Sequence, residues 1–204
     1  MITLYGNPAS TCTRKVLTTL AETNTPYQMV VVDMTKGEHK HAAHVARQPF
    51  GQIPAIEDDG FEMFESRAMC RYLNDKANGH LVPKDLKARA KMEQWISSET
   101  SEFSSNVMKL IYEYVFKRPQ APEVLEAAKK AVTKACEVMD KQLAKTPYLV
   151  GDEFTLADIC FMPYIEYTMG TQAKDEIFAK YPHFMAWWEK ISARPTWQKT
   201  AGKA

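Results

Sequence analysis

The first third of the chain alternates between two hydrophobic periods. β-Rich runs of period two are separated by segments in which apolar residues recur at helical spacing. The predicted elements are a strand at 2–5, a helix from Ser10 or Thr11 to about Glu22, a strand at 27–32, a short helix after Lys40, strands flanking Asp58-Asp59-Gly60, and a helix from Ser66. This β-α-β-α-β-β-α order predicts that the first two strands pair in parallel across the intervening helix.

Beyond residue 87 the pattern is helical almost to the end. A polar stretch with Pro and Gly at 77–87 has the composition of a linker. Two long helical segments follow, from Ala88 to about Phe116 and from Glu123 to Ala144. Thr155 and Asp158 then form a capping-box pattern, and a final amphipathic helix begins at Pro182. We therefore expect an α+β domain at 1–76, a linker at 77–87 and an all-α domain at 88–204.

Composition excludes several function classes without selecting one. The net charge of +1 provides no general attraction to nucleic acid or to a membrane surface. No apolar run reaches the length of a transmembrane helix, and the N-terminus enters a strand without a signal-peptide pattern. The four cysteines lack metal-ligand spacing. We expect a cytoplasmic protein with free thiols and no bound metal.

Two neighbouring features at 53–66 predict a site for a peptide-like ligand. Ile53 precedes Pro54, which holds Ile53 extended and itself has no amide donor, so the Ile53 main chain could pair with a ligand backbone. Ser66 lies at a helix start, where free N–H groups and a hydroxyl favour a carboxylate. Each residue alone is more often a turn proline or a plain N-cap. Together they suit a peptide with a terminal carboxylate.

The loop from Gly6 to Arg14 joins the first strand to a helix start, where ligand sites of open α/β sheets lie. Its neighbourhood offers Tyr5, Ser10 and Cys12 as side chains that could handle a reactive sulfur. Cys12 lies in the first helical turn, where the helix dipole favours a thiolate. As an alternative, Ser10 is only a cap and Cys12 a small packing residue.

Several motifs resemble the cytosolic glutathione transferases, with greatest similarity to the phi class. They lie in the same order along essentially the whole chain: STCTRKV from Ser10, GEHK from Gly37, QPFGQIPA from Gln48, FESRA from Phe64, GDEFTLAD from Gly151 and ARPTW from Ala193. The resemblance implies a thioredoxin-like domain in which Pro54 is cis, followed by a helical domain. It also implies glutathione as co-substrate.

Carried over residue by residue, the resemblance assigns a complete glutathione site. Glu65 and Ser66 would hold the γ-glutamyl end, and Ile53, beside Pro54, would pair with the cysteinyl backbone. His39, Lys40 and Gln52 would meet the glycyl carboxylate. Ser10 falls at the position of the phi-class catalytic serine, with Tyr5 and Cys12 as the runner-up residues.

Ser10 would act on the thiol by hydrogen bonding. A free thiol with a pKa of ~8.5 is only slightly ionised at neutral pH, and the thiolate is the nucleophile. A hydrogen bond to a charged group contributes roughly 1.5–3 kcal/mol, which lowers a pKa by about one to two units.

The activity expected from the resemblance is conjugation of the glutathione thiolate to apolar electrophiles, with reduction of organic hydroperoxides as a second possibility. Two alternatives are Cys12-dependent thiol transfer and a non-catalytic ligand-binding or assembly module. Phe50 falls where related classes use an interface aromatic, so the resemblance also implies a homodimer. An apolar second-substrate pocket between the domains would be lined by Ala9, Met34, Phe103, Val107, Ile111, Tyr164 and Tyr167.

His39, His41 and His44 lie in a polar, loop-like stretch. Such histidines are most often surface residues. No cysteine or carboxylate pattern accompanies them, so we do not expect them to bind a metal.

Overall fold

A computed structural model describes residues 1–201, and these residues form two compact units. The first unit contains Met1–Val82 together with the described residues from Pro195 onward, and the second contains Pro83–Arg194. The domain ranges 1–76, 77–87 and 88–204 stay a prediction, and residues 202–204 lie outside the described part of the chain.

The first unit has the predicted element order. Its elements are β1 (Ile2–Gly6), α1 (Thr11–Glu22), β2 (Tyr27–Val31), a 3₁₀ turn (Glu38–Lys40), α2 (Ala42–Val45), β3 (Ala55–Asp58), β4 (Phe61–Phe64), α3 (Ser66–Lys76) and, from the end of the chain, α10 (Pro195–Thr200). The strands form one sheet in the order β2-β1-β3-β4. β1 pairs in parallel with β2 and antiparallel with β3, and β3 pairs antiparallel with β4. The βαβ unit and the hairpin are therefore confirmed.

The two faces of this sheet differ as strand alternation requires. On one face Leu4 and Ile56, which pair in the register, are fully buried, and Asp58 on the same face accepts hydrogen bonds from α3. On the other face lie Thr3 and Tyr5, which are half-buried. The core of the first unit thus lies on the side of α1 and α3.

The hairpin between β3 and β4 turns where Asp-Asp-Gly predicts it. Asp59 and Gly60 have φ values of 50° and 87°. Positive φ at both central residues matches the twist of the flanking strands, and Gly adopts it without steric cost.

The second unit is helical throughout its regular elements. They are α4 (Leu86–Ser98), a π-helical segment (Glu99–Ser104), α5 (Ser105–Tyr114), α6 (Pro122–Leu143), α7 (Leu156–Met169), α8 (Ala173–Glu176), a 3₁₀ turn (Phe178–Lys180) and α9 (Pro182–Ser192). The predicted helix from Ala88 to about Phe116 is therefore interrupted by a π segment. Hydroxyls in and beside that segment, on Ser98, Thr100 and Ser104, each donate to the carbonyl four residues earlier. Such bonds compete with the main-chain hydrogen bonds of the helix at those carbonyls.

The capping box at the start of α7 is confirmed. The Thr155 side chain accepts from the helix backbone, and the Asp158 carboxylate accepts from the Thr155 N–H. Asp158 is fully buried and also accepts from the Trp187 indole. All four cysteines are free thiols. No helix among residues 1–201 is long and apolar enough to cross a membrane.

Candidate functional site

The predicted glutathione-site segments of the first unit converge at one edge of the sheet. Tyr5 near the end of β1 pairs with Ala55 at the start of β3, and Ala55 pairs with Phe64 at the end of β4. The loop after β1, the residues before β3 and the start of α3 therefore meet at the same edge. Gly6 shows how closely they pack, because an added Cβ would lie 2.8 Å from Thr13 Oγ1 and 3.4 Å from Pro54 Cβ.

Ser10 is the N-cap of α1 and is half-buried. Its Oγ accepts a hydrogen bond from the Thr13 N–H at 3.3 Å, while its own N–H donates to the Asn7 carbonyl. The Ser10 hydroxyl hydrogen has no acceptor among residues 1–201. The cap role and a donor role are therefore compatible, since the cap uses a lone pair and leaves the hydrogen available.

The two runner-up residues have different surroundings. Tyr5 lies on the sheet face away from α1, where the Arg47 guanidinium covers its ring at 4.4 Å from the centroid. Arg47 is held there by an ion pair with Glu62 at 3.2 Å. Cys12 is a half-buried thiol in the first turn of α1.

Ile53 and Pro54 have the geometry expected for a peptide-binding edge. The Ile53–Pro54 bond is cis. Both side chains are buried, and neither the N–H nor the C=O of Ile53 has a hydrogen-bond partner in the described part of the chain. Because such main-chain groups are usually satisfied, their openness is consistent with pairing to a ligand backbone.

Glu65 and Ser66 at the start of α3 carry two independent marks of a ligand site. Glu65, the exposed N-cap, has φ 71° and ψ 99°, a region that side-chain-bearing residues avoid at a cost of about 1–3 kcal/mol. The Ser66 hydroxyl is buried and has no partner among the described residues. An unpaired buried hydroxyl at a helix N-terminus is suited to donate a hydrogen bond to an anionic ligand group.

His39, Lys40 and Gln52 lie around one tight turn. Lys40 Nζ donates to the Phe50 carbonyl at 3.2 Å and lies so close to Gly51 that a Cβ there would be 2.8 Å away. Gly51 also has φ 58°, so this position requires glycine. His39 Nδ1 is buried without a partner in residues 1–201, and the Gln52 side chain is exposed.

The loop that leads to this turn is ordered by local hydrogen bonds. The hydroxyl and N–H of Thr35 donate to Asp33, and these bonds lower the pKa of Asp33 to about 2. The Glu38 carboxylate accepts from the Asp33 N–H at 2.7 Å. These contacts fix where the 3₁₀ turn with His39 and Lys40 begins.

Sequence reasoning missed two residues in this region. His44 was expected at the surface, but it is only 6% exposed, and its Nε2 lies 2.6 Å from the Gln52 carbonyl oxygen. Gln48 is 2% exposed, and its Oε1 accepts from the Gln52 N–H at 3.2 Å. The expectation for His44 was wrong because a polar neighbourhood does not show which single residue faces inward. His41, by contrast, is exposed.

The predicted second-substrate residues fall into two groups. Phe103, Val107 and Ile111 are fully buried and Tyr164 is 3% exposed, so they present almost no surface to a ligand. Phe103 packs edge-on against Phe161, with ring centroids 5.1 Å apart. Ala9 and Met34 are exposed and Tyr167 is half-buried. Across residues 1–201 no three His, Cys, Asp or Glu side chains group as metal ligands.

Comparison with known proteins gives one consistent family. The family model for the glutathione S-transferase N-terminal domain matches residues 1–75, and the model for the C-terminal domain matches residues 103–195. Glutathione S-transferase F9 of Arabidopsis thaliana is 31% identical over 210 residues, covering 100% of this chain and 97% of its own.

Solved structures agree with the family models. Glutathione transferase F2 from Populus trichocarpa superposes with a TM-score of 0.94 at 33% identity, covering 99% of this chain and 98% of its own. Glutathione S-transferase I from maize, in complex with an atrazine glutathione conjugate, superposes with a TM-score of 0.90 at 29% identity, covering 99% and 97%.

Proposed function

The chain belongs to the glutathione S-transferase family as a phi-like glutathione transferase, and we propose that it uses Ser10 to conjugate glutathione to apolar electrophiles. One observation carries the site assignment. Among residues 1–201 the buried Ser66 hydroxyl and the Ile53 main chain have no hydrogen-bond partner, and both lie with the positive-φ Glu65 at the end of the sheet where β1 leads to Ser10.

Glutathione is the proposed co-substrate, and its three residues can be matched in order to the groups at this edge of the sheet. Its γ-glutamyl carboxylate would meet the Ser66 hydroxyl and the free N–H groups at the start of α3. Its cysteinyl backbone would pair with Ile53. Its glycyl carboxylate would lie near His39, Lys40 and Gln52, where Lys40 supplies a positive charge. The maize relative bound to an atrazine glutathione conjugate supports glutathione as ligand.

Ser10 would donate a hydrogen bond to the glutathione sulfur and would not itself attack. Stabilising the thiolate by roughly 1.5–3 kcal/mol lowers its pKa by about one to two units. The thiol proton leaves to solvent, the thiolate forms a carbon–sulfur bond with the electrophile, and the leaving group departs. Helix α1 adds the positive end of its dipole behind Ser10.

The proposed electrophile site includes the exposed Ala9 and Met34 of the first unit. Small and apolar side chains at such positions favour a wide range of apolar substrates. The cytoplasm is the proposed location, because thiols persist in a reducing compartment and all four cysteines of this chain are free.

Calorimetry with glutathione and initial rates with an activated aryl chloride test this assignment. Ser10→Ala should reduce kcat about 10- to 100-fold. Without the Ser10 donor the pKa of the bound glutathione thiol rises by about one to two units, and each unit removes most of the remaining thiolate. Its glutathione Kd should change little. Ser66→Ala should raise that Kd about tenfold and leave ligand-free stability unchanged or higher, because the Ser66 hydroxyl has no partner among the described residues. Ser97→Ala, at an exposed serine, is the control.

Two results would count against the proposal. Absence of glutathione binding by the wild type would remove the site assignment. Tyr5→Phe abolishing turnover while Ser10→Ala retains it would transfer the donor role to Tyr5.

A homodimer is the proposed assembly, with Phe50 as its aromatic anchor. Phenylalanine is most often buried, but Phe50 is 66% exposed, and its ring packs edge-on against Phe64. In the second unit, a groove of about 510 Å³ between α4 and α6 has Trp95 and Val138 among its apolar lining. Phe50 of one copy would enter the groove of the other, and twofold symmetry would repeat the same contact in the opposite direction.

Sedimentation analysis tests this dimer. Phe50→Ala and the groove-filling Ala135→Trp should each weaken dimerisation, by roughly 2 kcal/mol or about 30-fold for the aromatic anchor. Their effects should not add. Phe116→Ala, at a phenylalanine that is 44% exposed, is the matched control. Unchanged dimerisation in both variants would exclude this interface.

A further inference from the structure

Both polar main-chain groups of Gln52 are held by buried side chains from the segment before it. His44 Nε2 lies 2.6 Å from the Gln52 carbonyl oxygen, and Gln48 Oε1 accepts from the Gln52 N–H at 3.2 Å. His44 and Gln48 are 6% and 2% exposed. The main-chain groups of the next residue, Ile53, have no partner among residues 1–201. The main chain of Gln52 is therefore fully hydrogen-bonded, whereas that of Ile53 is unpaired in the described part of the chain.

The peptide unit that joins Gln52 to Ile53 links the anchor to the open group. In a trans peptide the carbonyl and the following N–H lie in one plane and point in opposite directions. Fixing the Gln52 oxygen on the buried His44 ring therefore turns the Ile53 N–H away from that ring. We infer that His44 is a positioning residue that aims the Ile53 N–H at the glutathione backbone, an inference that rests on the proposed function.

The chemistry of the contact defines the state of the ring. A carbonyl oxygen only accepts hydrogen bonds, so His44 Nε2 carries the hydrogen in this contact. The bond also polarises the peptide and strengthens the Ile53 N–H as a donor, by about 10–30% in cooperative chains. Gln48 fixes the other side of Gln52 and completes the anchor, and Gly51 forms the turn between them.

The variants His44→Leu and His44→Gln separate this role from simple packing. Leucine removes the donor, whereas the glutamine amide reaches about as far as Nε2 and restores an N–H. Glutathione Kd should rise about five- to tenfold in His44→Leu, the loss of one hydrogen bond, with kcat at saturating glutathione nearly unchanged. His44→Gln should recover most of the affinity. His41→Leu, at an exposed histidine of the same segment, should match the wild type.

The amide resonance of Ile53 in the ligand-free protein provides a second readout that does not depend on glutathione. It should shift in His44→Leu and return toward the wild-type position in His44→Gln. If His44→Leu does not fold, Gln48→Met removes the other anchor and should move the same resonance and raise the Kd.

Three outcomes separate this inference from the proposed function. Wild-type affinity and an unmoved Ile53 amide in His44→Leu would overturn the inference and leave the proposed function intact. An equal loss of kcat and affinity without rescue by His44→Gln would also overturn it, since that pattern marks general disruption. Failure of the wild type to bind glutathione would remove the proposed function and, with it, the ligand that this anchor is inferred to serve.

Discussion

Asp158, at the start of α7, is a fully buried carboxylate that accepts hydrogen bonds from several parts of the helical unit. Its Oδ1 accepts from the Leu149 N–H at 3.2 Å and from Trp187 Nε1 at 2.9 Å. Its Oδ2 accepts from the Thr155 N–H at 2.9 Å and from the Thr155 hydroxyl at 3.2 Å. A substitution here therefore disturbs a loop, a helix start and α9 together.

The expected loss in the free energy of unfolding follows from the number of donors that lose their acceptor. Asp158→Ala leaves the Leu149 and Thr155 N–H groups and the Trp187 indole unpaired, at roughly 1–3 kcal/mol each. Burial raises the pKa of Asp158 while the hydrogen bonds oppose that rise, so removal of the carboxylate also recovers part of its desolvation cost. We expect a net loss of about 3–5 kcal/mol, equivalent to roughly 6–20 °C in Tm.

Asp158→Asn should have a smaller effect. The amide oxygen can still accept from Leu149 and Trp187, but its NH₂ group then faces the Thr155 N–H. One unpaired donor costs about 1–3 kcal/mol, or roughly 2–12 °C.

Thermal unfolding followed by circular dichroism, at one protein concentration and in parallel with the wild type, measures both variants. Asp152→Asn, an exposed carboxylate in the preceding loop, is the control and should melt with the wild type. The reasoning is refuted if Asp158→Asn melts within about 1 °C of the wild type, or if alanine is tolerated better than asparagine.

Three further predictions concern other parts of the molecule. Hydrogen bonds from Lys76 and then Tyr72 lower the pKa of Asp58 below its ordinary 3.8, so the stability contributed by Asp58 is complete above pH 3.8 and is lost as pH falls through the lowered value. Asp58→Asn should therefore lower Tm at pH 7, and its difference from the wild type should shrink in melts at progressively lower pH below 3.8. Glu65→Gly should relieve positive-φ strain and raise stability by about 1 kcal/mol, while calorimetry shows weaker glutathione binding. Phe103→Ala should cost about 3–5 kcal/mol in chemical denaturation, because the ring is fully buried; a cost below about 1 kcal/mol would show that the aromatic cluster around it is loosely packed.

The sequence was most informative where one local signal decides the structure. Asp-Asp-Gly between alternating runs predicted the hairpin that the φ values of Asp59 and Gly60 confirm. Ser10 before an amphipathic run predicted an N-cap, and its side chain does cap α1. Both features depend on interactions within a few residues, so the tertiary environment had little opportunity to override them.

Features that depend on the tertiary environment were not accessible in this way. The burial of His44 depends on the Gln52 carbonyl, eight residues away in sequence and across a turn. The π segment lies inside a sequence whose hydrophobic pattern is still helical, so the pattern gives no sign of it. The apolarity of Phe103 and Val107 predicts a pocket wall as readily as a core position, and both side chains are fully buried.

Helix α10 has a consequence for how the chain folds as it is synthesised. Although it is the last helix in the described chain, it packs on α1, with Thr200 beside Thr18, Thr196 bonded to the Glu22 carboxylate and Trp197 fully buried. The N-terminal unit therefore emerges from the ribosome without the segment that covers α1. Translation of the helical unit delays the synthesis of α10 by on the order of ten seconds. A stalled ribosome or a premature stop within the helical unit would leave this face of α1 exposed, so that chaperones could bind it.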